Sequence, residues 1–291
     1  MQMNHPEILQ RRSAPEPLRA WMKDFVYRDD ASGGEVVYEF PELRPSIQIM
    51  LGDPYWLRER AHASPWMRAP RIGIWGPRYE WGYGFAKRRI TVFAFGLTPK
   101  GLTALTGASV RALANQVAPL NAFNARLADL LNPAAHETFE RWCARAGEGL
   151  RAVFCEKTGV QSNDWLDDAI RTLATNAGSA VRLAADRAGL SERHFRRLFQ
   201  SELGLSPKRY QQLLRVDRML RQLHPNPWEM DTFADDASIP FADQPHAIRE
   251  FRRITAMTPS AYVRSKRNLG GRVLRSAPAP GIAPPVLRSN A

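Results

Sequence analysis

The chain has 291 residues, 44% hydrophobic and 24% charged, a balance that supports packed cores and excludes a disordered protein. At about twice an ordinary domain length, two domains are expected. Lys and Arg number 41 against 29 Asp and Glu, a net charge of +12, which favours a polyanionic partner such as nucleic acid or an acidic membrane surface. No run approaches the roughly 18 apolar residues that cross a membrane, and MQMNHPEILQRR lacks the apolar core of a signal peptide, so a cytoplasmic protein with no membrane partner is expected.

From Trp21 to about Phe95 the apolar residues come in short runs, EVVYEF, SIQIMLGD, RIGIWGPR and WGYGFAKRRITVFAFG, broken by Gly, Pro and Asp. These predict strands of an antiparallel sandwich or small barrel. Trp56, Trp66, Trp75 and Trp81 either pack its core or line a pocket. The pocket reading takes Tyr38, Trp56, Trp75, Trp81 and Tyr83 as its wall.

After Thr98 the spacing of apolar residues turns helical, through 121–131 and again through 134–155. Cys143 and Cys155 fall in one predicted helix about 18 Å apart, too far for a disulfide, and two cysteines make no four-cysteine zinc site. They are read as packing residues. The polar stretch EKTGVQSND, 156–164, marks a boundary and ends on an N-cap for the next helix.

Short helices follow. VRLAADRAGL carries Leu183, Ala184 and Ala188 on one face and Gly189 at a tight turn; Ser191 then caps a helix with Phe195, Leu198 and Phe199 on one side and Arg193, Arg196, Arg197 and Gln200 largely off it. Helix, glycine turn, serine-capped helix is the helix-turn-helix pattern, whose second helix enters the major groove of DNA. The arginines suit phosphates and the guanine O6 and N7 acceptors.

FADQPHAIREFRRITAMTPSAYVR, 241–264, repeats the design: Asp243 for Ser191, Ile248 and Phe251 inside, and Arg249, Arg252 and Arg253 outside. LGLSPKRY and TAMTPSAY align without a gap, 52 residues apart. Between them a helix from Pro207 to about Leu223 carries the stripe Tyr210, Leu213, Leu214, Val216, Leu220 and Leu223, and Pro225 and Pro227 end it. From 268 onward Pro, Ala, Gly and Arg without period read as a disordered basic arm; with Lys266 and Arg267, its Arg272, Arg275 and Arg288 add sequence-independent phosphate attraction.

Residues 165–267 resemble the DNA-binding domain of the AraC/XylS family of bacterial transcription regulators, and FADQPHAIREFRRITAMTPSAYVR is close to that family's C-terminal signature. Residues 18–155, with GLTPKGLTALTG after the last strand, resemble more loosely the regulatory domain of its members. The resemblance implies an α+β fold. A β-rich, sandwich- or barrel-like (cupin-like) sensor domain with C-terminal helices occupies 1–157. An all-α DNA-binding domain of two helix-turn-helix units occupies 163–267, and the arm 268–291. It also implies that Ser191, Arg193, Arg196, Arg197 and Gln200 serve the first half-site and Gln244, His246, Arg249 and Arg252 the second. The implied partners are double-stranded promoter DNA, a small-molecule effector and RNA polymerase, for a monomer or homodimer without a cofactor. One stretch departs from the family pattern: FADDASIPF carries Asp235 or Asp236 where an apolar residue is usual and Pro240 where the turn glycine belongs, which predicts a distorted second unit with the first carrying most of the specificity.

Of the histidines at 5, 62, 136, 194, 224 and 246, only His62 lies in the strand segment, short of a metal-binding barrel's needs. No nucleophile elbow or phosphate-binding glycine loop occurs. A non-enzymatic regulator is expected. An enzyme domain, cupin-like or hydrolytic, tethered to DNA is the alternative, and a nonspecific architectural protein the third reading.

Overall fold

The computed structural model describes residues 8–30, 33–34, 36–59, 64–134, 136–155, 164–175, 179–223, 245–267 and 282–285. It begins with two antiparallel sheets stacked as a sandwich. Its strands are β1 (Ile8–Ser13), β2 (Met22–Asp30), β3 (Val36–Glu39), β4 (Ser46–Met50), β5 (Tyr55–Glu59), β6 (Met67–Arg68), β7 (Ile72–Trp75), β8 (Gly82–Ala86) and β9 (Ile90–Leu97). The helices α1 (Pro99–Thr106) and α2 (Val110–Leu113) lead to β10 (Val117–Pro119), and α3 (Ala125–Leu131) and α4 (Phe139–Cys155) follow. The large sheet runs β1-β2-β9-β4-β7-β10 and the small one β3-β8-β5-β6.

The apolar runs named from sequence became β3, β4, β7, β8 and β9. Five strands, β1, β2, β5, β6 and β10, lie outside those runs. β1 is an edge strand, largely exposed and carrying Arg11 and Arg12, so no apolar alternation announces it. β5 interleaves Arg58 and Glu59 with Tyr55 and Leu57. β10 returns from the helical segment to pair Val117 with Trp75. At the exit from β9, Thr98 caps α1 by accepting a hydrogen bond from Gly101 N–H at 3.0 Å. A Cβ on Gly101 would lie 1.9 Å from the Trp21 carbonyl oxygen, which is the physical reason for glycine in GLTPKGL.

The C-terminal half comprises α5 (Asp164–Thr175), α6 (Ala180–Arg187), α7 (Glu192–Leu203), α8 (Pro207–Leu223), α9 (Pro245–Thr255) and α10 (Pro259–Arg267). One apolar core extends from Phe25, Phe95 and Trp142 in the sandwich region to Leu166, Ala184, Phe195 and Phe199, so the two halves share buried surface. Cys143 is buried in it and Cys155 is exposed on the same helix, neither in a disulfide; burial pushes the Cys143 thiol up to about 12, so it is an inert packing group. In the arm read as disordered, Ile282–Pro285 are the residues described, and Ile282 is buried against the small sheet. The apolar outer face of that sheet explains why this stretch is held.

Candidate nucleic-acid interface

The first unit is built from local signals. Gly189 sits at φ +66° between α6 and α7, where a side chain would be strained. Ser191 accepts a hydrogen bond from His194 N–H at 3.3 Å, capping α7. Phe195 and Phe199 are fully buried and Trp165 meets Phe195 edge-on at 6.1 Å. Arg193, Arg196, Arg197 and Gln200 are all exposed. Arg196 is braced by Glu192 one turn earlier at 2.7 Å, which fixes its direction and leaves an exposed pair that contributes little to stability.

The second unit repeats this packing. Phe199 meets Tyr210 edge-on at 5.5 Å, and 52 positions later Phe251 meets Tyr262 edge-on at 6.0 Å. Ser206 caps α8 through Arg209 N–H and Thr258 caps α10 through Ala261 N–H. Gly204 and Ala256, equivalent in the repeat, both adopt the left-handed conformation at φ +76° and +65°. Arg249, Arg252 and Arg253 are exposed on α9, and so is Ile248, expected inside; Ile254 packs beside Phe251 in its place. His246 falls in α9, whereas Gln244 and FADDASIPF, with Asp235, Asp236 and Pro240, lie outside the described residues.

α8 joins the units and covers the residues expected of it. Tyr210 and Leu214 pack with Phe195 and Phe199, while Leu213, Val216, Met219 and Leu220 pack with Phe251, Ile254 and Tyr262. Met219 belongs to the stripe although the sequence reading passed over it. Arg215 donates two hydrogen bonds of 3.0 Å to the Glu250 carboxylate, which is almost fully buried. That bidentate pair fixes α9 on α8. Arg253 donates to Gln212 at 3.0 Å, and burial together with Arg253 pulls Arg209 down.

The N-terminal half holds a partly open cavity of about 1100 Å³ between its sheets. Gly82, Gly84 and Ala86 alternate with Tyr83 and Phe85 along β8, so that strand turns its small residues inward and leaves room. Met50, Leu57, Trp75, Ile90, Val92 and Val117 form an apolar wall, and Arg28, Arg44, Arg58 and Arg78 face Glu39, Glu42, Glu59 and Glu80 around it. Arg78 donates to Glu39 at 2.7 Å and to the Phe40 carbonyl at 2.9 Å, and Tyr55 donates its hydroxyl proton to Glu39. Burial, then Glu39, pushes the Tyr55 phenol well above its ordinary value, so it stays a donor. The Trp75 indole N–H is buried with no hydrogen-bond partner among the described residues.

Of the five aromatic residues expected at a pocket, Trp75, Trp81 and Tyr83 line this cavity; Tyr38 and Trp56 do not and pack instead with the cluster of Val36, Tyr83 and Phe85. Period-two alternation from Tyr55 to Leu57, read against β8, is the signal that could have placed Tyr55 inside. Among the described residues no group of three His, Cys, Asp or Glu could hold a metal ion, and no helix is long and apolar enough to cross a membrane.

Sequence reasoning missed Tyr79 entirely. Its hydroxyl donates to the Leu203 carbonyl, at the end of α7, at 2.8 Å, and its N–H donates to the Asn115 side chain at 2.8 Å. Asn115 and Arg78 belong to the cavity wall. The ring packs with Leu213, Val216 and Tyr262, and burial raises the phenol so that it remains protonated. No motif announces this contact, because its partner is a backbone atom 124 residues away.

Residues 184–265 match a protein family described as a helix-turn-helix domain. A sequence search of curated proteins finds no match. Among solved structures, the chain is similar to ToxT from Vibrio cholerae O395 at 10% identity and a TM-score of 0.45, covering 92% of this chain and 98% of that one. It is also similar to wild-type ToxT from Vibrio cholerae strain SCE256 bound to an unsaturated fatty acid, at 10% identity and a TM-score of 0.44, covering 90% and 97%.

Proposed function

With residues 184–265 an AraC-type helix-turn-helix domain, we propose that the chain is a sequence-specific, effector-responsive transcription regulator that reads two adjacent major-groove segments of promoter DNA. The carrying observation is the repeated packing of α7 and α9. Each buries a phenylalanine against a tyrosine of the next helix and turns arginines to solvent. In this reading Arg193, Arg196, Arg197 and Gln200 serve one half-site and Gln244, His246, Arg249 and Arg252 the other, with Ser191 as cap. Two heads fixed to one helix suit sites about one helical turn, roughly 34 Å, apart on one face of the duplex.

The cavity supports the effector part. Its apolar wall and the partnerless Trp75 N–H suit a small organic molecule with an apolar body and a hydrogen-bond acceptor. An occupant would press on Arg78 and Asn115, which flank Tyr79, and Tyr79 holds the end of α7. That gives a physical route by which cavity occupancy alters the setting of the first reading helix. AraC-type transcription factors are typically not enzymes, and the reading assigns no catalytic residue. The test is DNA binding by the full chain across a salt series. A regulator prefers one sequence over random duplex by about 10³ or more, whereas equal affinity with a steep salt slope would make it an architectural protein.

A further inference from the structure

Part of the small sheet is inverted for an ordinary sandwich, although Tyr55 and Leu57 of β5 pack inward. Along β3 and β8 the large apolar side chains Val36, Tyr83 and Phe85 share one face, while Gly82, Gly84 and Ala86 share the cavity face. Cross-strand pairing sets Val36 opposite Phe85 and Tyr38 opposite Tyr83, so these residues form one contiguous strip on the face opposite Gly84, with Tyr83 also bordering the cavity. An apolar strip on a sheet surface requires a cover.

The cover is the chain's own Ile282–Pro285 segment. Ile282 is only 6% exposed and packs with Val36, Tyr83 and Phe85. The Trp66 indole N–H donates to the Ala283 carbonyl at 3.1 Å, while Trp66 itself meets Phe85 at 6.3 Å and lies under the Arg58 guanidinium at 6.0 Å. The sequence of this segment suits the task. Pro284 and Pro285 fix φ, and a residue before proline is confined to extended backbone, so little conformational entropy remains to be lost on docking. Aromatic strips with an indole donor are the surfaces on which such proline-containing segments dock.

We propose that the outer aromatic face of β3 and β8, with Trp66 at its border, is a docking site for the extended Ile282–Pro285 segment of the same chain. The segment straps the end of the DNA-binding half to the N-terminal half. Only residues 268–281 separate Ile282 from the end of α10, and a tether of about 14 residues gives an effective concentration on the order of 1 mM. One buried isoleucine and one hydrogen bond are a modest interface, and that local concentration is what makes it sufficient in cis.

The full chain with a photoreactive benzophenone side chain in place of Ile282 tests this directly. Irradiation is expected to yield a crosslink within one molecule to residues 36–39 or 82–86, independent of protein concentration. Crosslinks that avoid those strands, or that form only between molecules, overturn the proposal. As an independent reading, Ile282→Asp in the full chain should raise the quenching of tryptophan emission by acrylamide, and Trp66→Phe should abolish that rise. Unchanged quenching in Ile282→Asp also overturns it. A substitution in this segment leaves both cores intact, so an unchanged melting transition distinguishes undocking from unfolding.

Discussion

Ala256 occupies, in the second unit, the left-handed position that Gly204 fills in the first. A left-handed residue with a Cβ is strained by about 1–2 kcal/mol, and glycine gives back part of that as chain entropy. Ala256→Gly should therefore stabilise the protein by about 1 kcal/mol in urea unfolding; a loss of stability would mean that the turn prefers its methyl group. The arginines of α7 divide by role. If Arg197 touches a base edge, Arg197→Ala should cost about 1–3 kcal/mol on the preferred site and much less on random duplex. Equal losses on both would leave it a phosphate contact.

α9 is held on α8 by one charged pair as well as by Phe251 and Ile254. Arg215→Ala strands the buried Glu250 carboxylate and should cost about 2 kcal/mol, weakening the second unit first. Tyr79→Phe removes the one described contact by which the segment beside the cavity holds the α7 carbonyl end. It should cost about 1–2 kcal/mol in stability and loosen the link between cavity occupancy and DNA affinity, read as a smaller effector-induced change in binding. Elements of this kind were unevenly legible from sequence. α7 and α8 were, because caps, a glycine turn and a three-and-four apolar stripe all act within one or two turns. β1 was not, because an exposed edge strand shows no apolar alternation, and β10 was not, because a three-residue return is fixed by β7, on the far side of α1 and α2 in the chain. The cavity was half legible: Trp75 and Trp81 were anticipated at its wall, but Tyr38 and Trp56 sit in the outer cluster, since which face of a strand is inside depends on the sheet it stacks against.

On the scale of the whole molecule, the N-terminal half is a hollow sandwich and the C-terminal half a pair of like helical units on one connecting helix. The two meet at a continuous core and at Tyr79. The double unit follows from a repeat visible in the sequence itself, LGLSPKRY and TAMTPSAY, because a repeated pattern of caps and aromatic residues dictates a repeated packing. The meeting of the halves had no such local signal; it rests on apolar packing between residues far apart in the chain and on the Tyr79 hydrogen bond to the Leu203 carbonyl. The central claim is that both units read DNA. Selection of binding sites from random duplex by the purified full-length protein at physiological salt tests it most directly. Two sequence boxes about one helical turn apart are the predicted result; a single box would contradict a two-headed reader and leave α7 reading alone.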